Sequence, residues 1–136
     1  NTVRDYINAH FSGFVHDRPL YTGHCDCTIR RRLDHRVLVD NTLLVVETDE
    51  NQHKSYDGED ETNRYNDLFM VHSGKWIYIR FNPDSYKSKS GKTCKTQMKT
   101  RLENLEREIN KQIKRIEDGD NNNLIEIIHM YYDGYV

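Results

Sequence analysis

Proline is scarce, with two residues in 136, and tryptophan occurs once. Glycine is held to seven positions. Such a composition excludes collagen-like and Pro/Gly-rich low-complexity chains. Cysteine occurs three times, at Cys25, Cys27 and Cys94. An odd count with a Cys-x-Cys pair is a poor disulfide framework, and it suits a reducing, intracellular setting: cytoplasm or nucleus. Long apolar runs are missing. The longest, Leu43-Leu44-Val45-Val46, falls far short of the roughly 20 residues of a membrane span. No signal-peptide pattern is visible and no internal repeat occurs. The chain begins at Asn1 without a Met, as a domain cut from a longer protein would.

What is present is a one-domain length with 31% charged and 35% hydrophobic residues. The formal net charge of −2 hides a segregation. Residues 40–70 hold nine acids and two bases, whereas residues 75–115 hold twelve bases and four acids. A second basic knot is Arg30, Arg31, Arg32 and Arg36. An acidic centre between basic stretches suits a metal-using phosphodiesterase, in which acids hold cations and bases hold phosphates. Two ordinary solvated faces would give the same counts.

Periodicity predicts a short helix over 2–11, then a loop with Gly13, Pro19 and Gly23. Strands follow over 31–40 and 42–49, joined at Asp40-Asn41 as a hairpin. The unbroken Leu43–Val46 run marks the second strand as central and buried on both faces. Residues 51–58 read as a polar loop and 59–72 as a helix capped by Asp57. Residues 75–81 are a third strand, and 85–96 a basic, mobile connector. Met98, Leu102, Leu105, Ile109, Ile113 and Ile116 recur at helical spacing and predict a long amphipathic helix. This stripe suits packing on the sheet, or a seam for a homodimer. A last short helix is expected over 124–132. The fold class is therefore α/β: a small mixed central sheet flanked by helices, with a C-terminal helical extension. Three regions are expected: a core at 1–84, the connector at 85–96, and the extension at 97–136, packing on the core.

The chemistry concentrates in Arg31-Arg32-Leu33-Asp34-His35 and in Glu47-Thr48-Asp49-Glu50-Asn51-Gln52-His53. Glu47 and Asp49 are two apart on a strand, so both project from one face. They end an apolar run, where carboxylates are rare unless paired or metal-bound. Asp34, on the partner strand, can reach the same face. Three carboxylates at a sheet end suit Mg²⁺ or Mn²⁺, which favour oxygen ligands. A strand end emerging into solvent would carry acids equally well. His24-Cys25-x-Cys27 suggests zinc, but a structural site needs four ligands. Spacing does not choose among Cys94, His10, His16 and His35 to complete one, so buried or loop thiols fit too.

Asp34, followed by a buried strand ending in Glu47-x-Asp49 and then by His53, resembles the PD-(D/E)XK nuclease superfamily. The pattern is most similar to the very-short-patch-repair endonuclease-like branch, whose core often reads Glu-x-Asp-Gly-x-x-His. Glu61-x-x-Arg64 and Lys75–Phe81, ending in Arg-Phe, fit the downstream pattern, and the wording also resembles nuclease-like proteins of giant DNA viruses. A viral chain would work in a viral factory or virion. The resemblance covers about residues 30–85. It departs at the signature Lys, where Asp49 stands, and at the usual Gly, where Glu50 stands. Asp5 is the only candidate for an acid on the preceding helix.

The resemblance implies a restriction-endonuclease-like core and metal-dependent hydrolysis of DNA. Asp34, Glu47 and Asp49, with the Thr48 carbonyl, would bind Mg²⁺ or Mn²⁺. Asp49 would instead orient the attacking water if it is not a ligand. His53 would act as base or phosphate contact. Arg30, Arg31, Arg32, Arg36, Arg64, Lys87, Lys89, Lys92 and Lys95 would contact DNA, double-stranded rather than single-stranded. Bases of the long helix (Lys99, Arg101, Arg107, Lys111, Lys114 and Arg115) could also line DNA. The alternative is a catalytically inactive nuclease fold that only binds DNA.

Overall fold

The computed structural model describes residues 2–19, 32–53 and 74–135. Helix α1 spans Thr2–His10 and helix α2 spans Met98–Glu117. The strands are β1 (Val15–Pro19), β2 (Arg32–Val39), β3 (Thr42–Thr48), β4 (Lys75–Phe81), β5 (Tyr86–Lys87), β6 (Thr93–Cys94) and β7 (Ile125–Met130). Five strands form one sheet in the order β1-β2-β3-β4-β7, and β5 and β6 form a separate ribbon. β2 runs antiparallel to β1 and β3, whereas β3, β4 and β7 are parallel. The fold is the expected mixed α/β sheet with helices packed against it.

Strand alternation divides the core in two. Leu44, Val46, Ile77, Ile79 and Phe81 pack with Val3 and Ile7 of α1 and with Leu102, Leu105, Ile109 and Ile116 of α2. Leu43 and Val45 join Leu33, Trp76 and Tyr78 in the second cluster. Each fully buried aliphatic side chain contributes about 1.5–3 kcal/mol. The apolar stripe of α2 is thereby used on the sheet and offers no coiled-coil seam. No helix among the described residues is long and apolar enough to cross a membrane.

α2 begins without a side-chain cap from Gln97. Arg101 serves this junction instead. Its Nε donates to the Thr96 carbonyl at 2.8 Å, and its Nη1 donates to the carbonyls of Asn82 at 2.9 Å and Asp84 at 2.7 Å. The guanidinium also lies over the rings of Tyr86 and Tyr131. Arg101 is thus buried and unable to line DNA, contrary to the sequence expectation. Arg115, likewise, is bonded to Glu126 at 3.1 Å.

Three local expectations are corrected. Residues 15–19, expected as loop, add an edge strand, with Asp17 at φ 46° interrupting its regular backbone. Residues 85–96, expected as a mobile connector, form the β5–β6 ribbon, closed by Ser88 N–H to Lys92 O at 2.8 Å and anchored by buried Tyr86. Lysine and serine there reflect solvent exposure, not a lack of pairing. Residues 124–132, expected as a helix, instead hold β7, parallel to β4. A short apolar run fits either period, and its three isoleucines favour the pleated backbone. The C-terminal part is therefore one helix and one strand, and the strand belongs to the central sheet. The helix expected at 59–72, and Cys25 and Cys27, lie outside the described residues.

Candidate functional site

Glu47 and Asp49 lie at the carboxyl end of β3. Alternation from Leu43 and Val45 puts both acids on the second face of the sheet. Both are buried. Glu47 is in register with Arg80 on β4, and Arg80 with His129 on β7. One row of the sheet thus reads acid, guanidinium, imidazole.

Asp49 is engaged by protein groups. Arg80 Nε donates to Asp49 Oδ2 at 2.6 Å and Nη2 donates to Oδ1 at 3.1 Å. The Tyr132 hydroxyl also donates to Asp49 Oδ2. Burial, and then this carboxylate, raise the Tyr132 phenol well above its ordinary pKa, so it stays a donor. Burial and the Arg80 charge lower the His129 pKa, which keeps that imidazole neutral at pH 7. The cation that the motif lacks at position 49 therefore stands beside it, supplied from β4.

Asp34 adopts a different role. One step beyond the last ladder pair, His35–Val46, its Oδ2 accepts the Thr48 N–H at 2.9 Å. A side chain thus takes the place of a strand-to-strand bond, and β2 and β3 part here. A strand residue turns its N–H and C=O to the same side. The Thr48 carbonyl consequently shares the side of Asp34. Thr48 Oγ1 is buried and has no hydrogen-bond partner among the described residues.

Asp34 also lines a cavity of about 310 Å³ with Arg4, His16, Asp17 and His35. His16 Nε2 donates to Asn8 Oδ1 at 2.7 Å, which leaves His16 Nδ1 as an acceptor. His35 Nδ1–H then donates to it at 2.7 Å. His35 Nε2 is left as a bare, buried nitrogen without a partner among the described residues. Burial, assisted by His16 and Arg4 and opposed by Asp34, pushes the His35 pKa down to about 4.

The loop after β3 is constrained. Asn51 and Gln52 both have positive φ, 50° and 56°. Asparagine tolerates this region better than glutamine, and such backbone persists only where the surroundings over-determine it. Here Asn51 N–H donates to Asp84 Oδ2 at 2.6 Å. The Gln52 side chain donates to Asp133 Oδ1 at 2.9 Å and accepts the Asp133 N–H at 2.7 Å. Asp133 Oδ1 also accepts the Lys87 N–H at 2.8 Å, and so ties the β5–β6 ribbon to the same end of the sheet.

The expected site residues are therefore distributed. Asp34 and Thr48 meet directly. Asp49 is turned to Arg80 and Tyr132. Among the described residues no group of three or more His, Cys, Asp and Glu side chains is arranged to hold a metal ion. The side chains of His53 and Arg32, and all of Arg30, Arg31 and Arg64, lie outside the described residues. Arg36 is half-buried on β2, whereas Lys87, Lys89, Lys92 and Lys95 are exposed on or beside the ribbon. Sequence reasoning missed His129 and Tyr132, because it read their segment as a helix. Reading Ile125-Glu126-Ile127-Ile128-His129 as a strand would have put His129 at a strand end. No family model, curated protein or solved structure matches the chain.

Proposed function

We propose that the protein is a divalent-metal-dependent DNA endonuclease that hydrolyses phosphodiester bonds. The observation that carries this reading is buried Glu47 at the carboxyl end of a central strand, next to Thr48, whose N–H is held by Asp34 of the neighbouring strand. Buried carboxylates are retained where they are paired or hold a cation. The donor set of Asp34, Glu47 and the Thr48 carbonyl is all hard oxygen. Mg²⁺ and Mn²⁺ accept one or two carboxylates and keep several waters. The metal would supply charge neutralisation at the phosphate and a water of lowered pKa. In this reading Asp49 acts through Arg80, holding a cation beside Glu47, and His53 accepts the proton.

A second reading, an inactive nuclease fold that binds DNA, is favoured by the closed Asp49–Arg80–Tyr132 contact. Incubation of supercoiled plasmid with Mg²⁺ or Mn²⁺ separates the two. Cutting by the wild type and loss of cutting in Glu47→Ala, with DNA affinity retained, are expected. Equal nicking by both proteins overturns the metal assignment, and binding without cutting by the wild type selects the second reading.

A further inference from the structure

The two edges of the sheet differ. β1 is blunted by Pro19 at its end and by Asp17 at φ 46°. Proline, bulges and inward or edge charges are the usual protections of an exposed strand. β7, at the other edge, has no proline, no lysine and no positive φ over Ile125–Met130, and its one acid, Glu126, is paired with Arg115. No strand among the described residues pairs with its outer side. Ile127 is 40% exposed and the adjoining Leu124 59%.

The backbone bonds show which residues face outward. The carbonyls of Leu124 and Met130 accept from Trp76 and Asn82. Even-numbered residues of β7 therefore turn their backbone groups toward β4. Ile125, Ile127 and His129 turn theirs away from the sheet.

We propose that β7 is a self-association edge, at which a second copy of this chain adds its own β7 antiparallel about a two-fold axis at Ile127. In an antiparallel pair related by such an axis, residues whose backbones point outward must face one another. The register centred on Ile127 meets this condition along the whole strand: Ile127 opposes Ile127 of the second copy, and Ile125 opposes its His129. The charges are compatible with this pairing. The one acid, Glu126, is already neutralised by Arg115 and would face Ile128 of the other copy. His129 is held neutral by burial and Arg80, so the pairing brings no like charges together. The exposed Ile127 side chains would cover each other at the axis. The helical layers of both copies then lie on one side of a continuous sheet. The two Glu47–Arg80–His129 rows lie on the other side, at opposite ends of the strands.

Sedimentation velocity on the full chain, from micromolar to about 100 µM, tests this by mass action. The expected result is a concentration-dependent species of twice the 16.2 kDa protomer mass. Ile127→Lys is expected to be monomeric over the same range with an unchanged circular dichroism spectrum. Ile127→Pro is a second probe, because the N–H it removes points away from β4 and its loss spares the sheet. Leu38→Lys alters a still more exposed apolar residue, on β2, and is expected to leave the dimer intact. A wild-type monomer at every concentration overturns the proposal. So does a dimer that survives in both Ile127 variants, or one that Leu38→Lys dissociates.

Discussion

At the scale of single residues, the decisive contact is the closed set of Asp49, Arg80 and Tyr132. A buried ion pair adds modestly to stability while intact, because desolvation offsets attraction. Removing one partner is different, since the other charge stays buried and uncompensated. Asp49→Ala is therefore expected to cost about 3–5 kcal/mol in chemical denaturation. Tyr132→Phe loses one donor to a charged acceptor and should cost about 1.5–3 kcal/mol. If Asp49→Ala unfolds at the wild-type midpoint, the contact is not formed in solution. His35 makes a separate prediction. Its folded pKa of about 4 lies below the ordinary 6.5, so the unfolded chain binds a proton in that window that the folded chain refuses. Stability is then greatest above about pH 6.5 and declines as pH falls toward 4, by roughly 2 kcal/mol from this group. Denaturation between those pH values should show the slope, and His35→Gln should flatten it. An unchanged slope in the variant would assign the dependence to other groups.

At the scale of elements, what was legible followed from unambiguous periods. Leu43–Val46 marked β3 as buried on both faces, Lys75–Phe81 was bounded by Gly74 and Asn82-Pro83, and α2 showed six apolar residues at helical spacing. The elements misread were those whose local signals conflict. β7 is short and apolar, and its neighbours, not its period, make it a strand. The β5–β6 ribbon is polar in composition, and its order rests on Tyr86 and Asp133, which no local window contains. Of the site, Glu47 and Asp49 were legible as acids sharing one face, because a pleated strand dictates that much. The partners of Asp49 were not, since Arg80 and Tyr132 are brought to it by β4 and by the turn after β7. Asp34 was legible as an acid on the strand paired with β3, but its use as a substitute for a backbone bond was not, because that depends on where two strands diverge.

At the scale of the molecule, the near-neutral total charge conceals a directional distribution. The carboxyl end of the sheet carries Glu47, and the ribbon tied to that end by Asp133 carries Lys87, Lys89 and Lys92, with Lys95 just beyond. If DNA lies there, its affinity should fall steeply with salt. Replacing these four lysines by Gln should weaken binding to every sequence alike and flatten the logarithmic salt slope by roughly 0.9 per lost phosphate contact. A slope that is identical in the quadruple variant would remove the ribbon from the interface.

The stitch between the loop after β3 and the turn after β7 has a consequence for how the protein is made. Tyr132 lies 83 positions after Asp49, and Asp133 lies 81 after Gln52. During translation Asp49 leaves the ribosome long before either partner, so β3 must wait through the synthesis of β4, α2 and β7. Contacts this distant in sequence carry a large loop-closure entropy and form late. The acidic end of the sheet is therefore the last part of the protein to become itself, and a nascent chain halted before Tyr132 would hold Asp49 against Arg80 without the phenol that completes the set.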